Sequence, residues 1–138
     1  MSKKISYNSE DIDFQLLKKT PLSNWIKKTV DIEGKTLGEV TYIFCSDEYL
    51  HKMNVQHLNH DTLTDIITFP YNSNPIEGDI FISIDRVKDN AQDFKTPFEN
   101  ELHRVMIHGI LHLCGYKDKT EEESKQMRQK EEECLARL

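Results

Sequence analysis

The 138-residue chain has only three cysteines, four prolines, five glycines and one tryptophan, and no long hydrophobic run. Cys45, Cys114 and Cys134 are odd in number and far apart. That spacing excludes a disulfide framework and a CxxC zinc knuckle, and free thiols in a reducing compartment are the plain reading. With no Pro/Gly-rich boundary, repeat or low-complexity tract, a single domain over residues 1–138 is expected. No apolar stretch approaches the roughly 20 residues that span a bilayer. The opening MSKKISYNSE also lacks the apolar segment of a secretory signal, so a cytoplasmic protein is expected. Basic charge is scarce as well: 18 Lys and Arg against 24 Asp and Glu leave a net charge of −6. A broad, high-affinity nucleic-acid binder is thereby excluded, because phosphate contacts rely on Lys and Arg.

The deficit is uneven. Residues 1–30 carry +3, residues 31–100 carry −8, residues 101–118 balance, and residues 119–138 carry −1. Lys3, Lys4, Lys18, Lys19, Lys27 and Lys28 therefore offer a local positive surface despite the acidic total.

Residue patterns predict alternating strands and helices. Ile5 and Tyr7 mark a first strand, and Leu22, Trp25 and Ile26 mark a helix from Pro21 to Val30 that Gly34 ends. The β-branched and aromatic run from Val40 to Cys45 is a strand, after which Ser46 caps a helix through Tyr49, Leu50 and Met53. A third strand covers Ile66 to Phe69 and stops at Pro70. Gly78 opens a fourth, Asp79 to Ile84, followed by a polar helix from Asp85 to about Phe94. Thr96 as N-cap and Pro97 at the first position start an apolar helix through Leu102, Val105, Met106, Ile110 and Leu113 to Gly115. A charged helix over residues 120–137 completes an α+β fold, a small mixed sheet of about four strands packed with about five helices.

The apolar helix carries the chemistry. His108 and His112 stand four residues apart, on one helix face, where two imidazoles can share a metal ion. Gly115 can end the helix in a left-handed turn, and Asp118 can return a carboxylate to the same ion. Three ligands plus one position for water suit a catalytic, zincin-like zinc site. Two histidines on such a helix are also compatible with satisfied core residues, Gly115 with an ordinary cap and Asp118 with the surface. Unpartnered burial of two imidazoles is unfavourable, which argues for a ligand. Metallopeptidases of similar spacing place a Glu general base beside the first histidine, whereas Gly109 stands here. Cys114 is a possible fourth ligand or a buried free thiol, and Trp25 reads as core rather than a base-stacking platform.

The stretch HGILHLCGYKDK resembles the signature HGxLHLxGYDH of the YbeY-type endoribonucleases. Asn54, the run Asp61-Thr62-Leu63-Thr64-Asp65-Ile66-Ile67-Thr68-Phe69-Pro70 and the run from Glu77 to Ser83 are similar in order and spacing, so the likeness covers roughly residues 38–120. The resemblance implies a metal-dependent, single-strand-specific endoribonuclease. It would act in rRNA maturation, especially at the 3′ end of the small-subunit RNA, and in ribosome quality control. It also implies a mixed sheet packed with helices and a metal at the mouth of a cleft. Asp118 stands where the family has its third metal-binding histidine, Lys117 where it has the preceding aspartate, and His57-Leu58 where it has Tyr-Arg. A carboxylate in place of imidazole shifts affinity and metal preference. The missing arginine removes a phosphate contact; His57 and His60 are candidates to replace it, and each also reads as a loop histidine.

The mechanism that follows has His108, His112 and Asp118 holding Zn2+ or a related divalent ion, with His57, Thr64 and Asp65 as candidate substrate-binding residues. Asp65 and Asp79 read equally as ties between strand ends and turns. The metal would lower the pKa of water or polarise a phosphoryl oxygen. The partner would be single-stranded rRNA or the small ribosomal subunit. The alternatives are an RNA- or ribosome-binding assembly factor with a structural metal and, third, a metallopeptidase.

Overall fold

In the computed structural model, residues 4–58 and 63–138 are described. Lys3, His60, Asp61 and Thr62 lie outside them.

The elements, in chain order, are β1 (Ile5–Ser9), α1 (Lys19–Ile32), β2 (Leu37–Cys45), α2 (Asp47–Leu58), β3 (Ile66–Ser73), β4 (Ile76–Ser83), α3 (Ile84–Asp93), α4 (Phe98–Leu113) and α5 (Glu121–Ala136). The strands form one sheet in the order β1-β2-β4-β3. The β1/β2 and β2/β4 pairs are parallel, and β3 runs antiparallel to β4, which gives the mixed sheet expected.

Among the predicted boundaries that move, four do so for a clear local reason. Pro70 does not stop β3, which continues to Ser73 with an irregularity between Pro70 and Asn72. Because β3 is an edge strand, a residue without an N–H can be accommodated there. Strand β4 starts at Ile76, before Gly78, because the Ile76 N–H donates to Thr36 O (2.8 Å) and Leu37 pairs with Ile76. It ends at Ser83, whose Oγ accepts from the Arg86 N–H (3.1 Å) and caps α3, so Ile84 turns helical. Thr96 does not cap α4. Its N–H instead bonds Ala91 O (3.0 Å) while Lys95, at φ 54°, donates to Gln92 O (3.2 Å), the Schellman closure of α3. Pro97 takes the N-cap position of α4 with an extended ψ of 147°.

Alternation along β3 and β4 divides the sheet's two faces. Ile66, Ile80 and Ile82 lie on the face that packs against α4, in the main core they share with Tyr42, Phe44, Met106, Ile107 and Ile110 and with buried residues of α1, α3 and α5. Phe69, Phe81 and Ile67 face the other way, against Leu50, Tyr49 and Met53 of α2. Trp25 is core as expected, and its Nε1–H donates to Cys134 O at 2.8 Å, tying α1 to α5. Helix α4 can lie close on the sheet because Gly109 has no side chain. A Cβ there would meet Ile80 Cδ1 and Cγ2 at 3.0 Å and Ile66 Cδ1 at 3.1 Å.

Candidate metal centre

Helix α4 presents His108 and His112 one turn apart, on the stripe next to the one where Gly109 meets the sheet, and both line a cavity with residues of β3. Past Leu113 the chain turns back through a Schellman motif. Cys114 is the C-cap, Gly115 adopts φ 110° and donates to His112 O (3.0 Å), and the Tyr116 N–H donates to Leu111 O (3.0 Å). A left-handed residue is needed for that reversal, which is why glycine stands there. The Tyr116 hydroxyl donates to Glu33 Oε1 (2.6 Å), and the Ser124 hydroxyl donates to Asp118 O (3.0 Å). A capping box between Thr120 and Glu123 then starts α5.

This geometry gathers the three residues singled out in the sequence. His108 Nε2 lies 3.3 Å from Asp118 Oδ2 and His112 Nε2 lies 3.5 Å from the same oxygen. One donor atom from each of the three falls within 4.8 Å of the others, a spacing one metal ion can bridge.

The opposite side of each ring is equally specified. His108 Nδ1 lies 2.6 Å from Glu131 Oε2, and His112 Nδ1 lies 2.9 Å from Tyr116 O. Because a carbonyl and a carboxylate accept but cannot donate, each Nδ1 carries the proton and each Nε2 lone pair is left for a metal. Burial pushes the Glu131 carboxyl up, but hydrogen bonds from His108 and Arg104 outweigh it and hold it below the usual carboxylate range.

Glu131, Arg104 and Glu101 were not singled out from the sequence. Arg104 Nη1–H donates to Glu131 Oε1 (2.9 Å), its Nε–H donates to Glu101 Oε1 (2.9 Å), and its Nη2 pairs with Glu101 Oε2. Both carboxylates are only 2% exposed. Glu131 was hidden in the run EEE of residues 131–133, although its register with Met127 and Cys134, the other buried residues of α5, marks it as inward-facing.

The triad opens onto a cavity of about 610 Å³. Thr64 and Asp65 form part of its wall with Leu58 and Thr68. His57 is not among the described lining residues. It sits exposed at the last turn of α2 with its ring edge-on to Phe69, the centroids 6.2 Å apart. Asp65 also ties elements together: its carbonyl accepts from the Ser83 N–H (2.9 Å) and its carboxylate from Asn90 Nδ2 (3.4 Å). Burial pushes its carboxyl up, partly offset by Arg104 and His108. Asp79 accepts from the Tyr71 hydroxyl at 2.6 Å. Cys114 is a free, half-buried thiol outside the triad.

None of the described N-terminal lysines lines this cavity. Lys4, Lys19 and Lys27 border a separate groove of about 210 Å³ between β1 and α1, at the sheet edge opposite β3. Among the described residues, the Lys and Arg side chains on the cavity wall are Arg104 and Lys119.

A family model described as Endoribonuclease YbeY matches residues 4–138. The chain belongs to the YbeY family. Among curated YbeY relatives, the protein named "Endoribonuclease YbeY" from Flavobacterium psychrophilum is 55% identical over 132 residues, covering 95% of this chain and 94% of the relative. The YbeY protein of Parabacteroides distasonis, with the same name, is 50% identical over 135 residues, 97% of this chain and 95% of the relative. A solution structure from Thermotoga maritima has a TM-score of 0.65 and 30% identity, covering 95% of this chain and 86% of that one. The YbeY relationship thus extends beyond the sequence stretches that first suggested it, to the N-terminal strand and to α5 with Glu131.

Proposed function

We propose that this chain is a zinc-dependent, single-strand-specific endoribonuclease of the cytoplasm. Its substrate is ribosomal RNA, with the 3′ end of the small-subunit RNA as the processing site and ribosome quality control as a second role. The observation that carries the reading is the pair of locked imidazoles: two Nε2 atoms converge on Asp118 at 3.3 and 3.5 Å while both Nδ1 atoms are occupied by oxygen acceptors. Two nitrogens and one carboxylate oxygen fit a divalent ion of borderline softness and leave a coordination position open. Family membership supports the RNA substrate.

When bound, the ion supplies Lewis acidity and a water of lowered pKa. The protein residues supply position and charge. Glu131 and the Tyr116 carbonyl hold the rings, Asp118 contributes negative charge, and Thr64 and Asp65 shape the side of the cavity that receives substrate. Gly109 occupies the position of a peptidase general base, but it faces Ile80 and Ile66 of the sheet rather than the cavity. This geometry disfavours the metallopeptidase alternative.

Elemental analysis of purified protein is expected to find about one metal ion per chain, and none in the double variant His108→Ala/His112→Ala. Unchanged metal content in the variant would sink the site assignment. Zinc-loaded wild type is expected to cut a single-stranded RNA oligonucleotide and the double variant to leave it intact. Metal binding without cleavage in wild type would favour the assembly-factor alternative.

A further inference from the structure

The cavity has to receive a polyanion, yet two of its charged lining residues, Asp65 and Asp118, are carboxylates that oppose one. Among the described lining residues, the cations that can offset them are Lys119, which is exposed, and Arg104, which is not. Arg104 sits one helical turn before His108 on the same stripe of α4 and shares the cavity wall with the triad, while also bordering a second groove with Glu101 and Arg128. The guanidinium is built in on one side. It is held through Nε and Nη2 by Glu101 and through Nη1 by Glu131, and its side chain is only 18% exposed.

A guanidinium has five N–H donors, and these contacts use three, which among the described residues leaves one on each terminal nitrogen. Burial alone would lower its pKa, but Glu101 and Glu131 outweigh it and raise it, so the charge is permanent. An ion pair serving only to neutralise Glu101 and Glu131 has no need of an opening to solvent beside the imidazoles. A cation already fixed by buried carboxylates meets an incoming phosphate without reorganisation, whereas an exposed lysine must first lose side-chain freedom.

We infer that Arg104 is a phosphate-contacting residue: its free N–H groups bind a non-bridging oxygen of the RNA backbone at the cavity, beside the position held by His108, His112 and Asp118. The inference rests on the metal-centre reading given under the proposed function. It makes Glu101 a positioning residue that acts through Arg104, and it gives Glu131 two tasks, one on His108 and one on Arg104.

Two variants test it, read out by zinc content, thermal unfolding, kcat/KM on a single-stranded RNA oligonucleotide, and the salt dependence of binding a non-cleavable 2′-O-methyl oligonucleotide. Arg104→Lys keeps a charge for the carboxylates but loses the planar fork. It is expected to retain zinc and fold while kcat/KM falls at least about 10-fold. Arg104→Met/Glu101→Gln removes the cation together with one carboxylate it neutralises. Here kcat/KM is expected to fall on the order of 100-fold. The slope of log K against log salt should also shrink by about 0.7, the loss of one single-strand phosphate contact, which a merely structural role would not change. As a control, Arg128→Gln removes a half-exposed cation 3.6 Å from the same Glu131 carboxylate but outside the cavity wall, and should leave both readings at wild-type values.

Wild-type kcat/KM in zinc-loaded Arg104→Lys, or an unchanged slope in the double variant, overturns the inference. If the double variant does not fold, Arg104→Lys decides alone. If His108→Ala/His112→Ala keeps full activity, the metal-centre reading itself fails. If that pair is inactive while both Arg104 variants behave as wild type, only the Arg104 inference fails.

Discussion

Glu131 illustrates what a single side chain can decide. Its two oxygens serve two neighbours, Oε2 facing His108 Nδ1 and Oε1 accepting from Arg104. An amide at this position offers only one acceptor oxygen and no charge, so Glu131→Gln weakens the hold on the histidine ring and on the guanidinium together. Zinc affinity should drop about 10- to 100-fold, measured by competition with a chromogenic chelator. The cysteines give a second prediction. Burial, then the negative charge of Glu33, pushes the Cys114 thiol up to about 11, and burial pushes Cys45 up to about 12. Both thiols are therefore protonated at pH 8, and iodoacetamide should label the native protein far more slowly than the denatured chain, as read by mass spectrometry. The free-thiol reading of the sequence follows from spacing. The protonation state follows from burial, which spacing does not encode.

Two elements are held by contacts that can be tested separately from the site. Helix α4 approaches the sheet through Gly109, with Ile80 and Ile66 at near-minimum separation. Gly109→Val would drive two further methyl groups into that contact. It should destabilise the fold by at least about 2 kcal/mol in denaturant unfolding, despite the helix-propensity penalty of glycine that it removes.

The start of α2 is tied to α3 by Asp47, which accepts from Ser83 Oγ (2.6 Å) and from Arg86 Nη2 (3.0 Å). Burial pushes the Asp47 carboxyl up, but hydrogen bonds from Arg86 and Ser83 outweigh it and leave it below the usual range. A depressed carboxyl contributes stability above its unfolded pKa of about 3.9 and loses it as pH falls through the folded value. Asp47→Asn should therefore be less stable than wild type by roughly 1 kcal/mol at pH 7. The gap should narrow as the pH is lowered below about 4, measured by urea unfolding across that range. Ser46 was legible as the α2 cap, and its hydroxyl does accept from the Tyr49 N–H (3.1 Å). The Asp47–Arg86 tie was not legible, because its partners are 39 residues apart.

For the whole molecule, the net charge of −6 and the sheet order work together. The described lysines Lys4, Lys19 and Lys27 border the groove at the β1 edge of the sheet, opposite the cavity, so their charge does not add to the cations at the candidate metal centre. RNA binding at the cavity should be weak and only modestly salt-dependent. If each of the lining cations Arg104 and Lys119 meets one phosphate, the expected log–log slope is about −1.4 for a single strand. Fluorescence anisotropy with a short 2′-O-methyl oligonucleotide checks this, and a slope several times steeper would mean that the N-terminal lysines also engage the strand.

Local pattern was enough to establish the kinds of element, the His108–His112 stripe, the reversal at Gly115 and the return of Asp118. Each depends on residues within a few helical turns of one another, where helix period and capping chemistry act directly. The tertiary structure alone decided which carboxylate fixes His108, which cation faces the cavity, that His57 stays outside its wall, and that the basic segment lies at the far edge. Those outcomes depend on how α4 packs against α5 and β3 and on the order of strands in the sheet. The decisive pairings, such as Glu131 with His108 and with Arg104, join different helices, and a periodicity that marks each residue as inward-facing does not say which partner it meets.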